Sequence, residues 1–218
     1  MAPNVLLTAI LTTLLCTSCI SDSCPNCRVI YEKCHPVKGT GSGREELCVT
    51  CDPSAEHLVR DTIPRCTLLQ KATTLFLRNF RLGYLSSADI NHLKHLTHLY
   101  IQPGNLGLLD NQTFEGFECK LYELFLSHNN LPYLGKGWLV EVLRFLNLDH
   151  NEIAYIEEGA FGVSDQCLAT PALFLPWNKL VEIKPGYFRH LCKLRVLDLR
   201  HNQISTIDKG TNDFNLLC

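Results

Sequence analysis

The chain has 218 residues, with 20 lysines and arginines against 22 aspartates and glutamates, and a net charge of −2. That near-neutral balance argues against a nucleic-acid binder. Its 12 cysteines point to an oxidising compartment and disulfides, and its length suits a single unit with a sizeable core.

Residues 1–21 read as a secretory signal peptide. Residues 5–16 are an apolar run seeded with threonine, and the small residues from Cys16 to Ser21 supply a cleavage site near Ser21. The basic residues that usually precede such a run are missing, so only the terminal amine supplies positive charge. The run is shorter than the about 20 apolar residues a spanning helix requires. No later segment is long and apolar enough to cross a membrane or to serve as a lipid-anchor tail.

Residues 22–69 form a cysteine-rich head containing Cys24, Cys27, Cys34, Cys48, Cys51 and Cys66. Two readings compete. Cys24-x-x-Cys27 and Cys48-x-x-Cys51 stand roughly 20 residues apart, a spacing that zinc ribbons use. Behind a signal peptide the same thiols oxidise to disulfides, and a loop-rich stretch stapled in this way closes the end of a larger core. Disulfides are the favoured reading, with no metal and no cofactor. Gly39, Gly41 and Gly43 faintly resemble a phosphate loop but lack its flanking strand and helix. They read as a flexible connector.

From residue 70 to 218 one phrase recurs: a leucine, one residue, a leucine, two residues, an asparagine, then two more apolar positions. Leu124, Leu126, Asn129, Leu131 and Leu134 spell it, as do Leu146, Leu148, Asn151, Ile153 and Ile156, and Leu197, Leu199, Asn202, Ile204 and Ile207. The strand-opening leucines are Leu75, Leu99, Leu124, Leu146, Leu173 and Leu197, at a spacing of roughly 24 residues. Leu-x-Leu is a short strand with both leucines inward. The asparagine sits at the turn, where its amide can satisfy backbone groups otherwise buried and unpaired. Ile90, Phe114, Leu139, Phe161 and Phe188 plug the outer side of each coil. One phrase alone cannot bury this face, but stacked neighbours bury a continuous core. Phe80 and Gly104 occupy the asparagine position of the first two coils, which must be stabilised by other means. Pro176 is expected to remove a ladder donor at the end of its strand.

These phrases resemble the extracellular leucine-rich repeat family, and the resemblance covers roughly residues 70–218. It implies an α/β fold: a curved solenoid of about six repeats, with a parallel β-sheet on the concave face and irregular or short helical convex turns. The head is similar to the amino-terminal caps of that family, which usually carry four cysteines in a tighter cluster. Head and repeats together look somewhat like neurotrophin-receptor-type, Slit-type or Toll-type ectodomains.

In such a coil the residue between the two strand leucines points out of the concave sheet. That column is Phe76, Tyr100, Phe125, Asn147, Phe174 and Asp198, and Phe145 joins it from one position before Leu146. Aromatic side chains in a row on a solvent-facing sheet mark an interaction surface. Phe76, Tyr100, Phe125, Phe145, Phe174 and Trp177 are the expected partner-binding residues. Arg78, Gln102, Glu123, Arg144, Asp149, Arg195 and Arg200 form a mixed-sign rim suited to specificity. The next column holds His128, His150, Trp177 and His201. His128 and His150 are neighbours that could share a metal ion, but histidine before the turn asparagine is an ordinary solvent-side choice, and no metal site is assigned. His92, His95 and His98 run from turn into strand and should not converge. Asn111, Gln112 and Thr113 form a glycosylation sequon on the convex side.

Nothing here forms a nucleophile elbow, a zinc-binding helix or a phosphate loop, so the chain reads as a binding module and not an enzyme. The expected function is recognition of a protein ligand or co-receptor through the concave face, in a secreted protein or the extracellular part of a membrane receptor. The alternative is a matrix or structural component, or a homodimer formed through the same face. Cys119, Cys192 and Cys218 close similar phrases, with Cys167 in nearly the same slot. Cys192 and Cys218 are a candidate disulfide between adjacent coils; Cys119 and Cys167 could pair only if the longer turn before Leu173 folds back. Buried free thiols are the alternative. The phrase ending at Cys218 matches the one ending at Cys192. The chain is therefore expected to stop at a coil boundary without a carboxyl cap, as a fragment, a truncated product or half of a larger assembly.

Overall fold

The computed structural model describes residues 27–30, 47–51, 66–114, 117, 121–138, 143–161, 170–188, 190–191 and 193–209. The expected signal peptide, Leu139, and Cys24, Cys34, Cys119, Cys167, Cys192 and Cys218 lie outside the described residues.

The head contributes β1 (Cys27–Ile30), β2 (Cys48–Cys51) and one helical turn, α1 (Thr67–Gln70). Each coil then supplies a strand on the concave side and a two-residue strand on its return. The first pair is β3 (Thr74–Leu77) and β4 (Tyr84–Leu85), followed by a second helical turn, α2 (Ser87–Ile90). Then come β5 (His98–Ile101) with β6 (Leu108–Leu109), β7 (Glu123–Phe125) with β8 (Tyr133–Leu134), and β9 (Phe145–Asn147) with β10 (Tyr155–Ile156). β11 (Ala172–Phe174) with β12 (Glu182–Ile183), and β13 (Val196–Asp198) with β14 (Thr206–Ile207), complete the run.

The concave strands form one 8-stranded sheet in the order β1-β2-β3-β5-β7-β9-β11-β13. β1 pairs antiparallel with β2, and every later pair is parallel. Parallel pairing without slippage sets equivalent residues side by side, so Leu75, Leu99, Leu124, Leu146, Leu173 and Leu197 form one row. The first five of these are buried, as are Leu77, Ile101, Leu126, Leu148 and Leu175 in the next inward row. The outer side is closed by Ile90, Phe114, Phe161 and Phe188, all buried. In the third coil the buried Trp138 fills this layer, and its Nε1 donates to Asn111 Oδ1 at 3.0 Å.

The turn asparagines act as the spacing predicts. Asn151 Nδ2 donates to Leu126 O (2.9 Å) in the preceding coil and Leu148 O (3.0 Å) in its own, while its Oδ1 accepts from Leu131 N (3.1 Å). Asn129, Asn178 and Asn202 repeat this arrangement. The first two coils do without it. There Arg78 N donates to Cys51 O (3.0 Å) and Gln102 N to Leu77 O (3.1 Å), so backbone amides satisfy the carbonyls that the side-chain amide serves later. Asn105 Oδ1 also accepts from Gly83 N at 3.2 Å.

Gly104 is required by the first true asparagine. A Cβ there would lie 2.7 Å from Asn129 Oδ1 and 3.1 Å from Phe80 O. Gly104→Ala should push that amide off Leu106 N and cost about 2 kcal/mol. Urea unfolding measures this, and a loss below about 0.5 kcal/mol would show that the amide yields freely.

Pro176 corrects the expectation attached to it. Arg78 and Gln102 use the equivalent amide for the ladder, but in the coils on either side of the fifth the amides of Asp149 and Arg200 bond to side chains two residues back, Asn147 Oδ1 (2.9 Å) and Asp198 Oδ1 (3.1 Å). In the fifth coil that position carries Phe174, which offers no acceptor, and Pro176, which needs none.

In the head, Cys27 and Cys51 are in register across β1 and β2, with Cα atoms 4.1 Å apart, and are joined by a disulfide. Cys48 is disulfide-bonded as well, as is Cys66. Sulfurs from both Cys-x-x-Cys pairs are therefore committed to disulfides, which removes the zinc-ribbon reading.

Candidate partner-binding face

Register decides which side chains meet on the concave face. Phe76, Tyr100 and Phe125 are in line on β3, β5 and β7, and their rings stack with centroids 4.4 Å and 4.6 Å apart. On β9 the same column holds Asn147, flanked by Phe125 and Phe174. The stack does not break there. Phe145, two residues earlier and on the same side of the strand, lies 4.8 Å from Phe125 and 4.9 Å from Phe174. Five rings thus form one continuous ladder, and each offset stack contributes about 0.5–1.5 kcal/mol beyond its buried area.

The ladder is not uniformly available. Phe76, Phe125, Phe145 and Phe174 are half-buried. Tyr100, expected as an exposed anchor, is only 3% exposed. Two rings sandwich it, and its hydroxyl donates to Glu123 Oε2 at 2.8 Å. Tyr100 therefore stiffens the ladder. Glu123, read from sequence as part of the rim, is buried by the same contact.

A second row runs alongside. His128, His150, Trp177 and His201 all have left-handed backbones, with φ of 53°, 50°, 53° and 56°. For residues with a Cβ this conformation is strained, and its repetition sends each side chain the same way. His128 stacks on His150 at 4.3 Å, His150 on Trp177 at 5.4 Å, and Trp177 on His201 at 4.0 Å. Trp177 is 51% exposed.

His128, Asp149 and His150 bring one ligand atom each within 4.8 Å of one another. The histidine rings are nearly parallel, 19° apart, and imidazole lone pairs lie in the ring plane, so the two do not converge on one ion. His150 Nδ1 is instead 2.7 Å from Asp149 Oδ1. His98 lies in β5 and is buried with its Nδ1 2.7 Å from Thr97 Oγ1, while His92 and His95 belong to the preceding turn.

The charged side chains differ in how they are held. Arg200 clasps Asp198 with Nη2 to Oδ2 at 2.7 Å and Nε to Oδ1 at 2.9 Å. These hydrogen bonds hold the Asp198 carboxyl below its ordinary range, against the opposing effect of partial burial. Arg144 lies over the Tyr122 ring at 5.2 Å and Arg78 over Phe76 at 5.9 Å. Sequence reasoning missed Tyr122, which also meets His98 edge-on at 6.3 Å. It precedes the strand, and only the folded turn brings it beneath Arg144. Gln102 is linked to Ser127 by a side-chain hydrogen bond. Tyr133 and Tyr155, stacked at 5.1 Å, lie on the return strands β8 and β10, away from the concave sheet. Burial, reinforced by Tyr155 and Glu157, pushes the Tyr133 phenol up.

The family model for the leucine rich repeat matches residues 94–153 and 172–213, the region whose register builds both rows. These segments are leucine-rich repeats.

Among leucine-rich repeat relatives, the chain is 26% identical over 123 residues to fibromodulin of Oryctolagus cuniculus, covering 56% of this chain and 79% of that one. Against fibromodulin of Mus musculus it is 26% identical over 145 residues and spans 37% of the relative's length. It is 36% identical over 86 residues to the platelet glycoprotein Ib alpha chain of Mus musculus, covering 39% of this chain and 11% of that protein. The solved TLR13–ssRNA13 complex aligns with a TM-score of 0.48 at 23% identity, covering 66% of this chain and 24% of the other.

Proposed function

We propose that this leucine-rich repeat chain is a recognition module that binds a protein ligand or co-receptor through its concave face. The observation that carries this reading is the unbroken stack from Phe76 to Phe174, with the exposed Trp177 in the row beside it. Rings locked against one another lose little freedom on docking, so more of their contact energy reaches the affinity. Phe125, Phe145, Phe174 and Trp177 are the contacting anchors; Phe76 closes one end and Tyr100 positions its neighbours. The face acts by binding and not by catalysis, since Glu123 and Asp198 are tied up in structural bonds. Disulfides in the head support a secreted protein or a receptor ectodomain. A glycan at Asn111 would sit at an exposed convex position and leave the concave face clear.

An array of purified extracellular proteins, probed with the secreted chain, tests this reading. Phe125→Ala with Phe145→Ala should reduce binding of each partner at least about 30-fold, the scale of a hot-spot truncation. Trp177→Ala, at an exposed position, should weaken binding without altering the thermal melt. Partners bound equally well by all three proteins would rule out the concave face. Light scattering that shows a dimer abolished by the same variants would instead favour self-association.

A further inference from the structure

We propose that the segment seated on the concave face is an acidic polypeptide, selected by an arginine layer standing outside the aromatic ladder; this rests on the concave-face reading above. The whole chain carries −2, yet the charge this face turns to solvent is positive. Its carboxylates are held inward. Glu123 is buried against the Tyr100 hydroxyl. The Asp198 side chain is 11% exposed and gripped by Arg200, whose own side chain is 77% exposed. Asp149 is engaged by His150.

The arginines are arranged oppositely. Arg78, Arg144 and Arg195 are exposed, and among the described residues no carboxylate pairs with any of them. Arg78 and Arg144 rest on the Phe76 and Tyr122 rings. A guanidinium laid on an aromatic face keeps its N–H fork for a carboxylate and is already positioned for it. Arg144 precedes β9 and Arg195 precedes β13, with only β11 between them. Their backbones are therefore about 10 Å apart, between the spacings of roughly 7 and 13 Å at which an extended chain presents same-face carboxylates two or four residues apart, a difference the long arginine side chains span.

The aromatic floor beside these arginines favours a polypeptide over a sulfated glycan. Phe125, Phe145 and Phe174 supply stacked apolar surface. Aliphatic or aromatic side chains dehydrate such surface with gain, whereas a polysulfated sugar would have to shed its own hydration there.

Fluorescence anisotropy on the full chain tests this, using a fluorescein-labelled Glu–Tyr copolymer, a Lys–Tyr copolymer and heparin as probes. The Glu–Tyr copolymer should bind at least about tenfold tighter than the Lys–Tyr copolymer, with affinity falling as salt rises. Arg144→Glu with Arg195→Glu should remove that preference while leaving the thermal melt unchanged. Equal affinity for the two copolymers, or Glu–Tyr binding indifferent to the charge reversal, overturns the proposal. In that case a remaining loss with Phe125→Ala and Phe145→Ala shows that the face still binds. Indifference to both pairs of substitutions overturns the concave-face reading as well. Heparin binding without Glu–Tyr binding assigns the arginines to a glycan and overturns the polypeptide.

Discussion

Asn151→Ala should lower the unfolding free energy by about 2–4 kcal/mol and depress the melting temperature by roughly 10 °C. Asn151 is 7% exposed, so water cannot readily replace what its amide supplies. Removing the amide strands Leu131 N, which costs about 1–3 kcal/mol, and takes one of two donors from Leu126 O and Leu148 O, which keep the amides of Asn129 and Asn178. These groups belong to two coils, so the damage spreads to the interface that stacks them. Asn151→Asp should recover only part of the loss, because it keeps the acceptor but forfeits both donated bonds. Asn130→Ala, at an exposed neighbouring position, should shift stability by no more than about 0.5 kcal/mol. Asn202→Ala should cost less than Asn151→Ala, since Asn202 is only half-buried. Urea denaturation of the four variants provides the comparison. An Asn151→Ala loss below about 1 kcal/mol would mean that the turn is held by its backbone alone.

Opening the Cys27–Cys51 bridge should have the next largest effect. The two cysteines are 24 residues apart in sequence, and closing a loop of that size stabilises the folded state by roughly 3.5 kcal/mol on chain-entropy grounds. The disulfides of Cys48 and Cys66 still restrain the head, so Cys27→Ser with Cys51→Ser should cost about 2–3 kcal/mol. The loss should be local in its first consequences. β2 covers one edge of β3, and Val49 pairs with Leu75 at the start of the core row. Hydrogen exchange should therefore accelerate at Leu75 and Leu77 before it does at Leu146 and Leu148. Uniform acceleration along the chain would contradict a head that caps one end, as would unchanged exchange throughout.

Much of this was legible because a solenoid repeats its own instructions. Inward leucines, the turn asparagines and the aromatic column each follow from a residue's place in the phrase, so one coil interprets the others. What a phrase does not contain is its neighbour's offset. That Phe145 bridges the gap left by Asn147 depends on β7, β9 and β11 pairing without slippage. Tyr100 reads as an exposed ring in its own phrase and becomes buried only because rings stand on both sides. Pro176 looks like a lost ladder bond until Asp149 and Arg200 show that in the coils on either side this amide serves a different acceptor. The head has no repeat to interpret it, and its cysteines alone did not determine which of them join.

By itself, the sequence determined a stacked coil, its buried face and the column that points away from the core, because hydrophobic period and turn chemistry are local properties. Only the tertiary structure decided which of those column residues touch one another, which are covered, and which charges reach solvent. Those outcomes depend on side chains that are distant in sequence and come within a few ångströms only when adjacent strands lie about 4.8 Å apart in register.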